Sequence, residues 1–427
     1  MKPKKINHRQ GRFFEIRLSD QLDPNHGLIK LSKNIDWENI EEEIGNIFTS
    51  KKGRPPAPVR TIVGLLMLQH MFGISDESVV FNWVENPYWQ YFCGYDYLQW
   101  KFPINPSSLS RWRGRIGEEG LDKILFHTIK TAKKTKTIQT QSLRKVIVDT
   151  TVMEKNISYP TDAKLYKRGI ETLVRMAKSH NIPLRQSYSK LSKTALFKAN
   201  RYLHARQMKR AKKQIKKLKT FLGCVFRDVK RKIKGDLELE FYFSEIMEII
   251  KKLLKQERTS KNKIYSIHEP HVECISKGKS HKKYEFGCKV SFVATHKEGI
   301  ILSAKAIHGN PYDGHTLKEV TQNAEFNSQT EVHNIFVDKG YRGHEIKEKQ
   351  VYISGQKKLS KYFKKLLNRR QAIEPHIGHM KSDGRLGRNY LKGEYGDKLN
   401  AVLSGIGHNL RIILNKISPK RIKKAFL

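Results

Sequence analysis

Asp149 follows the apolar run 146–148 (VIV), and Asp338 follows the apolar run 335–337 (IFV). Each run is short and rich in β-branched or aromatic residues, which reads as a buried strand ending in an acid. Buried parallel neighbours bring their C-terminal ends together, at the edge where open α/β sheets place their sites. A third acid, Glu374, lies in the long helical stretch 357–383. Three hard oxygen donors suit Mg²⁺ ions held by few carboxylates, with positions open for phosphate oxygens and water. In a two-metal centre one ion lowers the pKa of an attacking water or 3′-hydroxyl and the other stabilises the leaving oxygen. The plainer role of an Asp after a strand is a turn or helix cap, and either Asp alone is compatible with that.

Arg370, Glu374 and Lys381 stand at i, i+4 and i+11. In a continuous helix they fall within roughly 40° of one another at ~100° per residue. One face then carries a carboxylate between two cations, together with Ile377. Pro375 interrupts this reading, because its ring clashes with the carbonyl four residues back. A kink or a helix start is expected there, and a start would release Arg370 from the Glu374 face.

The elements that must position these residues follow from pattern. KVIVDTTV (145–152), KYEFGCKVSFVATH (283–296), GIILSAKAIHG (299–309), VHNIFVDKGYRG (332–343) and VYISG (351–355) read as strands, the second and third forming a hairpin. Helices are expected over 313–326, 344–349 and 357–383, with Asp313 as the N-cap of the first. Between the first and second strands the texture is helical and basic at about 165–260, as in LHARQMKRAKKQIKKLKTFL. Setting that block aside, the order is strand, strand, strand, helix, strand, helix, strand, helix. This is the order of an α/β ribonuclease H-like core, here with a helical insertion after the first strand. The core is placed at 141–427 and a helical N-terminal region at 1–140. In that region KKGRPPAP (51–58) is a break, a buried helix starts near Pro58, and Ser107 is positioned to cap a helix exposing Arg111, Arg113 and Arg115.

Lys and Arg number 83 against 41 acidic residues, a formal net charge of +42. Such self-repulsion is relieved by a polyanion, and a phosphate backbone supplies one. Double-stranded DNA is the expected partner. The four cysteines form no CxxC pair, which excludes a zinc knuckle or a redox pair of that type. There is no apolar h-region at the start and no uninterrupted apolar run of membrane-spanning length. A cytoplasmic, nucleoid-associated protein without a membrane partner is expected.

The text around Glu374, Arg370-QAI-Glu374-PHIGHM-Lys381, resembles the signature helix of bacterial insertion-sequence transposases of the IS-five (IS-four-like) family. VIVDTT and VDKGYRG resemble that family's first and second Asp motifs. HEPHVECISKGKSHKKYEFGCKV, GNPYDGHTL and GRPPAPVRTIVGLLMLQH are also similar to its members. The resemblance implies Mg²⁺-dependent cleavage at terminal inverted repeats and strand transfer into a target, with Mn²⁺ able to substitute and with action as a homo-oligomer on DNA. It makes Asp149, Asp338 and Glu374 the catalytic metal ligands. It places Arg370 and Lys381 against DNA phosphate. Separately, the helix bearing Arg111, Arg113 and Arg115, preceded by another expected helix and a turn, reads as part of a helix-turn-helix for end binding, with an ordinary basic surface helix as the alternative. One departure stands out: Leu367 occupies the position where the wider signature has Tyr. Two other functions fit the same features: a related nuclease or domesticated relative that cuts without joining, and a basic nucleic-acid-binding protein without catalysis.

NPYWQYFCGYDYLQW (86–100) offers rings for base stacking, though a packed aromatic core explains it more simply. His308, Asp313 and His315 have the residue types of a metal cluster, but loop and cap roles explain them more simply.

Overall fold

The computed structural model of the protein describes residues 15–47, 57–257, 259–276 and 282–418; residues 51–56 of the expected Pro-rich break lie outside them. The chain forms two compact units, one from residues 1–154 and 288–427 and one from residues 155–287.

The first unit opens with helices α1 (Leu18–Gln21), α2 (Gly27–Asn34), α3 (Trp37–Gly45), α4 (Val59–Phe72), α5 (Asp76–Glu85), α6 (Pro87–Phe92) and α7 (Pro106–Lys134). Local chemistry sets their starts. Asp36 accepts the Asn39 N–H ahead of α3, and Ser75 accepts the Ser78 N–H ahead of α5. Asn105, not Ser107, caps α7. Pro106 occupies the first helical position, where its missing N–H costs nothing, and the cap falls on the residue before it. Gly117, with φ 72°, breaks α7 into two helical segments.

Strand β1 (Lys145–Glu154) begins the sheet. Strands β2 (Glu273–Ile275), β3 (Glu285–Thr295), β4 (Ile301–Ile307), β5 (Asn334–Val337) and β6 (Gln350–Ile353) complete it in the order β2-β3-β1-β5-β6, with β4 also on β3. β3 and β4 are antiparallel, as the hairpin pattern requires, whereas β1, β5 and β6 run parallel. Helix α12 (Asp313–Ser328, numbered after the four helices of the second unit) precedes β5, and α13 (Lys361–Asn368), α14 (Ile373–Asp383) and α15 (Gly393–Ile417) follow β6. This is a mixed α/β sheet that fits a ribonuclease H-like core.

Three differences from the sequence expectation have local causes. β1 continues five residues beyond Asp149, so that acid lies within the strand and not at its end. Residues 344–349 form no helix; a short 3-10 turn at Lys339–Tyr341 and irregular chain join β5 to β6. The stretch 357–383 is not one helix, because α14 starts at Ile373, two residues before Pro375, after a 3-10 turn at Arg369–Ala372.

Side-chain alternation gives the sheet two apolar faces. Val146, Val148, Ile335 and Val337 pack with α2–α4, α7, α12 and α15 in the larger core. Ile147, Met153, Val290, Phe292 and Phe336 pack with Ile373, Ile377 and Met380 of α14 on the other face.

The second unit contains α8 (Asp162–Ser179), α9 (Ser189–His204), α10 (Met208–Ile233) and α11 (Leu237–Lys255). They share their own core, in which Leu218, Leu222, Val225 and Val229 of α10 meet Ile170 and Leu173 of α8 and Phe243 and Ile250 of α11. Lys209, Lys212, Lys213, Lys216 and Lys217 line the exposed side of α10. At the unit's ends the Lys155 N–H donates to the Phe286 carbonyl at 2.9 Å.

His70 on α4 and His408 on α15 are fully buried, and burial first, then nearby Arg385 and Arg113 for His70 and His376 and Arg411 for His408, push each imidazole down to about 3 from 6.5. Both are therefore neutral. His408 donates Nε2–H to the Gly299 carbonyl at 3.1 Å, and His70 donates Nδ1–H to the Leu66 carbonyl at 3.2 Å. Between these values the unfolded chain takes up protons that the folded chain refuses. Stability is thus complete above about 6.5 and falls as pH drops toward 3. Urea midpoints should be lower at pH 5 than at pH 7, and His408→Gln should reduce that difference. Equal midpoints for the wild type at the two pH values would contradict the neutral buried state.

Candidate active site

β1 pairs with β5 through Lys145↔Asn334, Val146↔Ile335 and Ile147↔Phe336. Two steps further along the same register stand Asp149 and Asp338. Asp338 retains an extended backbone (φ −80°, ψ −177°), so the alternation carries past the end of β5. Both acids therefore lie on the face of Ile147 and Phe336, the face covered by α14.

Each is held locally. Asp149 Oδ1 accepts the Thr150 N–H at 2.9 Å, and Asp338 Oδ1 accepts the Gly340 N–H at 2.9 Å. Arg370 Nη1 lies 4.0 Å from Asp149 Oδ2, with both side chains largely buried. The guanidinium thus faces the first acid from the 3-10 turn ahead of α14. Glu374 is exposed in the first turn of α14 and half-buried Lys381 is in its last. Seven residues of helix separate them by roughly 10 Å.

A fourth carboxylate, Asp313, belongs to the same neighbourhood. The Cβ position of Gly340 lies 3.0 Å from Asp338 Oδ1 and 3.4 Å from Asp313 Oδ2. Asp313 does not cap α12. Instead its Oδ1 accepts from Lys289 Nζ at 2.9 Å, and the same ammonium donates to the Pro311 carbonyl at 2.7 Å. The buried Tyr341 hydroxyl reports the cluster: burial first, then the charges of Asp149, Asp313 and Asp338, hold its pKa well above the phenol value, so it keeps its proton. Asp313, Lys289 and Tyr341 were not assigned to this site from sequence. For Asp313 the signal was present in the GNPYDGHTL text, where a helix-start position hid the contact. His315, also from that text, lies on α12 after Asp313, and His308 belongs to a different group, described below.

The donor set around Asp149, Asp338 and Asp313 is all oxygen, the chemistry of Mg²⁺ and not of a softer ion. Among the described residues these carboxylates form no group of three with ligand atoms all within 4.8 Å.

The turn joining β3 to β4 locates α14. Gly299 has φ +73°, and a Cβ there would meet the His376 ring at 2.2 Å, so a side chain at this point must push aside the His376 ring of the helix that carries Glu374. Gly299→Ala should cost about 1–2 kcal/mol for the left-handed backbone alone, with the His376 clash in addition. A urea midpoint equal to that of the wild type would remove this constraint.

The three arginines of α7 do not share one fate. Arg111 and Arg115 are exposed. Arg113 points inward, 2% exposed, and pairs with Asp76 and Gln69 of α5 and α4. The aromatic text 86–100 is mixed: Trp89 and Phe92 are buried in the larger core, and Trp100 is exposed.

Residues 16–115 match a transposase domain (DUF772), and residues 258–410 match the transposase DDE domain. The second match includes Asp313, Asp338 and Glu374 and begins after Asp149. The uncharacterized protein ORF8 in the nfe locus of Rhizobium meliloti is 44% identical to this chain over 207 residues, which is 48% of the chain and 100% of that protein. No solved structure matches. The chain belongs to the insertion-sequence transposases that carry a DDE domain, and with that class comes dependence on a divalent metal. Among the described residues no helix is long and apolar enough to cross a membrane.

Arg113→Ala should destabilise the fold by about 3 kcal/mol or more, because it leaves Asp76 uncompensated against the core. Arg111→Ala and Arg115→Ala should leave the urea midpoint unchanged. Equal effects of all three would show that Arg113 is not a structural cation.

Proposed function

We propose that the protein is the transposase of an IS-five-type (IS-four-like) element, which binds the element's terminal inverted repeats and catalyses Mg²⁺-dependent cleavage and strand transfer. The observation that supports this reading is the β1–β5 register, which sets Asp149 and Asp338 side by side on the face packed against Ile373, Ile377 and Met380 of α14, the helix that bears Glu374. Asp149, Asp338 and Glu374 are the metal ligands in this reading. When bound, the metal supplies Lewis acidity toward a phosphoryl oxygen and a nucleophile active at neutral pH.

The chain's own residues do the rest. Arg370, close to Asp149, is placed to meet the negative charge that grows on the equatorial phosphoryl oxygens. Lys381, two turns along the helix from Glu374, reaches a flanking phosphate on its flexible stem. The exposed Arg111 and Arg115 serve end binding in the N-terminal region. The basic face of α10 tracks phosphates, in keeping with a net charge of +42. The protein acts as a homo-oligomer on DNA in the nucleoid.

The deciding measurement is Mg²⁺-dependent cleavage and joining of a labelled repeat-end duplex. Asp149→Asn should abolish both while leaving duplex binding nearly intact; an Asn variant that still cuts sinks the assignment. Lys381→Ala should slow cleavage by on the order of one to three log units, and added Mg²⁺ should not restore the rate. Cleavage without joining would favour the nuclease reading. Non-specific affinity should fall by ~0.9 log units per phosphate contact per log unit of salt.

A further inference from the structure

We propose that Cys288, His308 and Asp397 form a second metal site, one for a zinc-like transition ion, separate from the carboxylate centre. The three residues come from different elements: Cys288 from β3, His308 from the residue just after β4, and Asp397 from the first turns of α15. Their sulfur, nitrogen and oxygen ligand atoms all lie within 4.8 Å of one another.

The donor chemistry selects the ion. Thiolate, imidazole and carboxylate together match Zn²⁺, and Co²⁺ as its substitute, and match Mg²⁺ poorly. His308 Nε2 and Asp397 Oδ2 are 3.2 Å apart. Two ligands each ~2.0 Å from a tetrahedral ion stand about 3.3 Å apart, so this pair already has the required bite. A divalent ion, a thiolate and a carboxylate sum to zero charge, which a buried site tolerates. The Cys288 thiol gives up its proton as the ion enters.

The surroundings are built for a fixed carboxylate. Buried Asn389 donates Nδ2–H to Asp397 Oδ1 at 2.6 Å, leaving Oδ2 on the His308 side. The amide is itself oriented, because its Oδ1 accepts the Leu391 N–H at 2.9 Å. Such outer hydrogen bonds hold a metal-binding carboxylate in place. Cys288 and Asp397 are almost fully buried, while the His308 side chain is 17% exposed and gives the ion a route in. Three protein ligands leave a fourth tetrahedral position for water. The site is distinct from the acids at Asp149. The hydrogen bonds from the His296 N–H to the Lys145 carbonyl and from the Lys155 N–H to the Phe286 carbonyl put Phe292 level with Asp149, and Cys288 stands four residues away along the strand, roughly 13 Å.

The test uses the full-length protein stripped with a chelator and titrated with Co²⁺. A thiolate-to-cobalt charge-transfer band should appear with equimolar metal, persist in Asp149→Asn and Cys274→Ser, and vanish in Cys288→Ser. His308→Gln should lose tight binding, and Asn389→Ala should weaken it by roughly 10–100-fold. Excess Mg²⁺ should not displace the ion. The wild-type spectrum needs no variant to fold: absence of the band there overturns the proposal and leaves a His308–Asp397 ion pair beside a thiol. Persistence of the band in folded Cys288→Ser overturns it as well.

Discussion

The parallel pairing of β1 with β5 is the constraint from which the rest of the site follows. Its register places Ile147 beside Phe336, and with them Asp149 beside Asp338. Strand side chains alternate, so a slip of one residue would turn Asp338 toward the opposite core and leave Asp149 alone. Burial on both faces forbids that slip. Val146, Val148, Ile335 and Val337 are committed to the N-terminal helices and α15, while Ile147 and Phe336 are committed to α14. The packing that folds the sheet thus also sets the spacing of the acids.

Much of this was legible in the sequence. The strand runs, the β3–β4 hairpin and the basic helical block after β1 are all carried by local pattern, and local pattern survives folding when each residue's partners are near in sequence. Pro375 announced a break, and α14 starts beside it. What stayed hidden depends on distant partners. Arg113 reads as one of three exposed cations on α7, because nothing nearby reveals that Asp76, far back on α5, draws it inward. Asp313 reads as a cap, because its true partner Lys289 lies across the sheet on β3. Asp149 reads as the end of an apolar run because the uninterrupted apolar residues stop at Val148, although Thr150, Thr151 and Val152 carry the strand on to Glu154.

Several of the acidic residues, which are outnumbered about two to one, sit at points of tertiary attachment. Glu118 and Asp122 of α7 both bind Lys305 of β4, at 2.7 and 2.8 Å. Burial alone would weaken the charge on that lysine, but the two carboxylates more than compensate and raise its pKa. Lys349 with Glu325 and Arg113 with Asp76 follow the same pattern. The excess of Lys and Arg leaves the exterior cationic, as on α10. Excess charge that would strain a free protein becomes an adhesive surface when a polyanion neutralises it.

The second unit follows the end of β1 in the chain and includes β2 and the first residues of β3, and its two ends are joined by the hydrogen bond between Lys155 and Phe286. For the sheet this is a closed loop. The entropy of closing a loop grows only with the logarithm of its length, at about 0.6 kcal/mol per doubling. Neighbouring strands that need nothing longer than a hairpin turn can therefore tolerate a whole helical unit between them for little more in chain entropy. Length at this one junction is nearly free to change while the β1–β5 register is not, so the two parts of the molecule can diverge in sequence and size at very different rates.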